Sequence, residues 1–154
     1  MIKIMFVCHG NICRSPMAEF IMKELVESKG LSEQFYIESA ATSLEEIGNP
    51  VYPPAKRVLE KRGINCSLKR ARRVTEADGE KFDYIICMDS YNVSNISRIL
   101  SEKDFCKVSK LLDFTDNPRD VADPWYTGDF DVTYDDIMEG LEAFLEHLKK
   151  EGKL

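Results

Sequence analysis

Lys3-Ile4-Met5-Phe6-Val7-Cys8-His9-Gly10-Asn11-Ile12-Cys13-Arg14-Ser15-Pro16 decides how the rest of the chain is read. Lys3 to Cys8 is an apolar run of strand length. Ser15-Pro16 opens a helix, because proline suits the first helical position, and Ala18, Ile21, Met22 and Leu25 recur on one face until Lys29-Gly30 stops it. Between them lies a tight loop in which Gly10 and Asn11 are placed to take positive φ. Strand, tight loop and helix N-terminus together aim successive backbone N–H groups inward and form an anion nest. Arg14 closes the loop and is placed to grip two oxygens of a tetrahedral oxyanion. Cys8 sits at the bottom of that field, where it is expected as a thiolate at neutral pH. The spacing Cys-x5-Arg-Ser therefore supplies a nucleophile, an oxyanion cradle and a charge clamp.

Working outward, short apolar runs alternate with helical periods. Tyr36–Ala41, Phe82–Met88 and Val108–Leu112 read as further strands, and Pro53–Arg62 and Asn92–Leu100 as helices. Tyr134, Ile137, Met138, Leu141, Phe144, Leu145 and Leu148 make one apolar stripe on a last helix, with Thr133 and Asp136 as a capping-box start. Strands separated by helices predict an α/β fold, a three-layer sandwich with a four-stranded parallel sheet flanked by helices and a phosphate-binding loop after the first strand. Ligands of such sheets bind at the carboxyl ends of the strands. The length of 154 residues suits one domain, 1–154.

Composition narrows the function. Hydrophobic residues are 44% and charged residues 31%, an ordinary globular balance. No apolar run approaches a membrane span, and the opening residues are too short for a secretory core. Five cysteines, an odd number without regular spacing, predict a reduced, cytoplasmic chain. A net charge of -6 argues against nucleic acid as partner. Cys8 and Cys13 lack a second ligand pair for a metal. Gly-x4-Gly-Lys-Ser/Thr is absent, so the loop is not a nucleotide-binding one.

Breaking a phosphate ester also requires a proton donor. Eight aspartates lie between Asp113 and Asp136. Asp123 stands apart in Asp123-Pro124-Trp125-Tyr126, where proline stiffens the backbone and two aromatics can wall a slot beside a protonated carboxyl.

Cys8 to Pro16, Ser39-Ala40-Ala41-Thr42-Ser43, Ile47-Gly48-Asn49-Pro50, Cys87-Met88-Asp89 and Asp123 to Tyr126 together resemble, in order along nearly the whole chain, the low-molecular-weight protein tyrosine phosphatases. The resemblance implies hydrolysis of phosphotyrosine in proteins or peptides, with inorganic phosphate as product and no metal or organic cofactor. It makes Cys8 the nucleophile that forms a phosphocysteine, with His9, Gly10, Asn11, Ile12, Cys13, Arg14 and Ser15 around the phosphoryl group. Asp123 is then acid and afterwards base. Asn11, Ser39 and Asp89 correspond to loop-supporting positions, and Ser15 to a hydroxyl that donates to the Cys8 thiolate. Cys13 corresponds to a thiol that pairs reversibly with the nucleophile on oxidation.

Two stretches depart from the family pattern. Leu44-Glu45-Glu46 stands where relatives carry an aromatic wall, so the slot is left with Ile12, Glu45, Trp125 and Tyr126, or takes Tyr52 as a replacement. Tyr52-Pro53-Pro54 stands where relatives carry an Asp-x-Arg pair. Glu45 and Glu46 at the rim are expected to repel acidic peptides. Lys69-Arg70-Ala71-Arg72-Arg73 is either a solvated loop or a positive rim that recruits phosphoprotein. A protein-arginine phosphatase on the same fold is the first alternative, disfavoured because those relatives carry Thr where this chain has Ile12. An arsenate reductase is the second, but the relay partner of Cys87 is missing, since Ser94 stands seven residues on. A phosphopeptide-binding module without turnover would lack Cys8, Arg14 or Asp123, and all three are present.

Overall fold

The computed structural model describes residues 1–154. Strand β1, Ile2–Cys8, is flanked by β2, Phe35–Ala41, on one side and by β3, Tyr84–Cys87, on the other, with β4, Val108–Lys110, outside β3. All three pairings are parallel, with Cys8 opposite Ala41 and Val7 opposite Cys87. Ile4, Met5, Phe6 and Val7 are fully buried, as a central parallel strand covered on both faces requires.

Alternation along β1 splits the core in two. Ile4 and Phe6 join the larger cluster with helix α1, Arg14–Ser28, helix α2, Pro53–Glu60, and helix α6, Phe130–Lys150. Met5 and Val7 face the smaller cluster with Phe82, Ile96 and Leu100 on the opposite face. The larger one includes the α6 stripe Ile137, Leu141, Phe144, Leu145 and Leu148, all buried, each contributing about 1.5–3 kcal/mol against exposure. Gly140 lies on the same helix because a Cβ there would stand 2.5 Å from Leu111 Cγ, so only glycine admits the 111–114 turn so closely. No helix is long and apolar enough to cross a membrane.

Several boundaries differ from the sequence expectation. The fourth strand stops at Lys110, and Leu111–Phe114 turns into a 3-10 helix that buries Leu111 and Leu112. Helix α4 runs Ser90–Ile96, earlier than expected, because Asp89 caps it: Asp89 Oδ1 accepts from Asn92 N at 2.8 Å. Helix α6 begins at Phe130 rather than Thr133. Gly128, at φ 73, turns the chain so that Asp129 becomes the cap and accepts from Val132 N at 3.0 Å. Thr133 is buried a turn inside, its hydroxyl donating to the Asp129 carbonyl. Two short helices were not expected at all: α3, Glu76–Lys81, and α5, Pro124–Thr127.

Candidate active site

Strand order β2-β1-β3-β4 reverses direction about β1, so the crevice lies at the carboxyl ends of β1 and β3. Cys8 ends the first of these strands, and Asp89 follows the second by two residues. In the loop between them and α1, only Asn11 takes a positive φ, at 59°. Gly10 does not, which corrects the sequence expectation. Its small size serves a close approach instead, since a Cβ there would meet Glu46 Cγ at 3.3 Å.

Around the sulfur the hydrogen bonds have one self-consistent direction. Ser39 Oγ donates to the buried Glu19 carboxylate at 2.6 Å, so it must accept from Asn11 Nδ2, 2.9 Å away. The same Asn11 amide donates to Ser15 Oγ at 2.8 Å, and its Oδ1 accepts from Arg72 N at 3.2 Å, which fixes the orientation of the amide. Ser15 Oγ, already an acceptor, has its proton left for Cys8 Sγ at 2.9 Å. Asn11 N adds a second donor to the sulfur at 3.3 Å. Two donors aimed at one buried sulfur are the arrangement a thiolate needs. Lys69 Nζ, 3.3 Å from Glu19 and 2.8 Å from the Ser39 carbonyl oxygen, anchors the far end of the network.

Arg14 is buried, and its Nη1 donates to Asp89 Oδ2 at 2.7 Å and to the Val121 carbonyl at 2.8 Å. Burial works against its charge. The nearby charges of Cys8 and Asp89, with the Asp89 hydrogen bond, outweigh that and hold the guanidinium above its ordinary pKa. Asp89 thus joins two elements, capping α4 with one oxygen and fixing Arg14 with the other.

Asp123 lies across from the loop, its side chain 28% exposed. Oδ1 accepts from Trp125 N at 3.0 Å, capping α5, while Oδ2 stands 3.4 Å from Arg14 Nη2. Proline at the start of α5 fixes this geometry. Cys8, Arg14 and Asp123 line one pocket of about 430 Å³, with Ile12 and Trp125 as apolar walls. Trp125 is 55% and Tyr126 85% exposed, so the slot is open at the aromatic side. Tyr52 does not replace the missing wall. It packs against Trp125, with ring centroids 4.9 Å apart, and lies outside the pocket lining. Glu45 and Glu46 occupy the opposite rim, Glu45 2.9 Å from His9 Nε2 and Glu46 accepting from Asn49 Nδ2 at 2.6 Å.

The structure brings Cys8, His9, Gly10, Ile12, Cys13, Arg14, Glu45, Asp123, Trp125 and Tyr126 to the pocket, and puts Asn11, Ser15, Ser39 and Asp89 behind it. Cys13 is buried there, and burial together with the charges of Cys8 and Asp123 raises its thiol pKa well above the ordinary value. Cys87 is shifted the same way by complete burial within the sheet, so it offers no accessible relay thiol. The basic run is only partly taken up. Lys69 pairs with Glu19 and Arg72 donates to Asp78 at 2.9 and 3.1 Å, whereas Arg70 and Arg73 are exposed and donate only to backbone carbonyls. Sequence reasoning missed Glu19 and Val121 as components, while Glu46 lies at the rim where it was expected. A glutamate within the first turns of the helix behind the loop was the available signal for Glu19; a backbone carbonyl such as that of Val121 leaves none.

The family model described as low molecular weight phosphotyrosine protein phosphatase matches residues 3–154. The low molecular weight protein-tyrosine-phosphatase YfkJ of Bacillus subtilis is 39% identical over 100% of both chains. Its crystal structure superposes with a TM-score of 0.93, over 98% of this chain and 96% of that one. The human low molecular weight phosphotyrosine protein phosphatase is 38% identical over 93% of each chain. A Drosophila arginine phosphatase is 30% identical, with a TM-score of 0.87 over 96% of this chain and 98% of that one. With a loop, a clamp and an acid arranged as above, and a match that runs almost from end to end, the chain belongs to the low molecular weight phosphotyrosine protein phosphatase family.

Proposed function

We propose that residues 1–154 act as one cytoplasmic phosphatase domain that hydrolyses phosphotyrosine in proteins and peptides and releases inorganic phosphate. The observation that carries this reading is the donor set on Cys8: Ser15 Oγ and Asn11 N both point at a sulfur at the base of the loop, beside a charged Arg14. In the first step the Cys8 thiolate attacks phosphorus and forms the S–P bond as the aryl O–P bond breaks. Loop N–H groups and Arg14 hold the phosphoryl oxygens. The departing phenolate takes the proton of Asp123, which leaves Asp123 as a carboxylate. That carboxylate then removes a proton from water, whose oxygen attacks phosphorus, breaks the S–P bond and returns the thiolate with phosphate. The residues named use no metal or organic cofactor. Cys13 beside Cys8 is the partner for a reversible disulfide under oxidation.

Ile12 and Trp125 favour an aryl ester, because apolar walls suit the two faces of a phenyl ring. The carboxylates of Glu45 and Glu46 at the rim supply the one feature that suits a guanidinium, and so keep phosphoarginine as the second reading.

Leaving-group dependence tests the acid assignment. Asp123→Ala is expected to cost about 10²–10⁴-fold in kcat with phosphotyrosine and much less with p-nitrophenyl phosphate, whose leaving group needs little protonation. Equal losses on both substrates remove Asp123 from the role. Cys8→Ser should bind phosphate and turn over neither.

A further inference from the structure

We propose that a second groove, adjoining the reaction pocket across Asp123 and Tyr126, receives a cationic side chain that flanks the phosphotyrosine of a peptide substrate. The inference rests on the phosphotyrosine-peptide reading above and adds the chemistry of the flanking residue.

The groove measures about 600 Å³ and shares His9, Arg14, Asp123 and Tyr126 with the reaction pocket, so a chain whose phosphotyrosine is in the pocket passes its mouth. Its outer wall is the first turns of α4, which carry Tyr91 and Asn95. Tyr91 is 80% exposed and Tyr126 85% exposed. Exposed aromatic rings on either part of one concave surface mark a contact site rather than packing. Their faces carry negative quadrupole density and attract a guanidinium or an ammonium.

Charge points the same way. Carboxylates of Asp89, Asp120 and Asp123 lie along the groove, and the cations recorded on them are Arg14 and Lys110. With Asp123 carrying the proton it donates, Asp89 and Asp120 balance Arg14 and Lys110, and the attraction for a further cation comes from the free oxygen of Asp120 and the ring faces. Lys110 holds Asp120 through Oδ1 only, at 2.9 Å, and Asp120 Oδ2 remains for a further donor. An Arg or Lys lying over the tyrosine rings would meet that oxygen and the Asn95 amide. An acidic flanking residue would face the free Asp120 oxygen and the negative ring faces, both of which repel it.

The test measures kcat/KM for phosphotyrosine peptides in which Arg, Leu, Ala or Glu is placed at each position near the phosphotyrosine, with p-nitrophenyl phosphate as the reference for folding and chemistry. At one position or more, Arg should exceed Ala by about tenfold, with Glu below Ala. Tyr91→Phe should keep the preference, because the ring face remains. Tyr91→Ala and Asp120→Asn should each cut it to about twofold with the reference rate unchanged. A preference for Leu over Arg, no Arg preference at any position, or an Arg preference unaltered in both variants overturns the proposal. Turnover of the reference ester with none of any phosphotyrosine peptide overturns the phosphotyrosine-protein reading itself, and the groove with it.

Discussion

Asn11 sets the direction of every hydrogen bond that ends on Cys8. Its backbone is in the left-handed region at φ 59°, its amide donates to Ser15 and Ser39, and its carbonyl oxygen accepts from Arg72 N. Asn11→Gly relieves the backbone strain yet removes all three side-chain bonds, whereas Asn11→Ala removes the bonds and adds about 1–2 kcal/mol of strain. Both variants should lose about 10–100-fold in kcat, the value of one or two hydrogen bonds to a charged group, and the alanine variant should also be the less stable. Steady-state kinetics beside urea denaturation separates the two effects. A glycine variant with unchanged kcat would show that the amide network does not serve the nucleophile. Cys8, Arg14 and Ser15 were legible from sequence because nucleophile, turn and helix start are contiguous, so local spacing encodes them. The Arg72 N–H and the Val121 carbonyl were not, since backbone groups brought in from distant segments have no residue-type signal.

Short elements carry more of the site than their length suggests. Helix α5 has four residues and positions Asp123; helix α3 has six and holds Asp78. Neither is long enough to show a 3.6-residue period, which is why hydrophobic spacing did not find them. Asp78 caps α3 through Thr75 N, at 2.8 Å, and pairs with Arg72. Burial alone would raise its pKa, but the hydrogen bonds from Arg72 and Thr75 win and hold the carboxyl below the usual carboxylate range. A depressed folded pKa contributes stability that is present in full above the unfolded value and is lost as pH falls through the folded one. Asp78→Asn should therefore lower stability at neutral pH by about 1–3 kcal/mol. The gap to the parent should close as pH drops below about 4. Urea midpoints at pH 7 and pH 3 check it, and a gap of the same size at both values would contradict the assignment. The last helix shows the complementary case. Its stripe was plain in the sequence, but its start was misplaced because Gly128, in a left-handed turn, handed the cap to Asp129.

Across the whole molecule the sheet order explains why one loop gathers residues from four parts of the chain. The reversal about β1 brings Cys8, Asp89 and Asp123 to one end, while α1 stands behind them with Glu19. The fold class was legible because strand runs and helical stripes alternate cleanly; β4, only three residues long, was overestimated where Leu111 and Leu112 continue an apolar run that the chain bends into a turn. The pocket that results has apolar walls at Ile12 and Trp125 and carboxylates at its rim. Specificity between an aryl phosphate and a phosphorylated guanidine rests on which of these a bound substrate meets first. The most direct measurement is turnover of matched phosphotyrosine and phosphoarginine peptides side by side in reducing buffer, with Cys8→Ser as the blank. Phosphotyrosine turnover that exceeds phosphoarginine turnover and disappears in the blank is the expected result; preferential release of phosphate from phosphoarginine, or activity that survives Cys8→Ser, would contradict it.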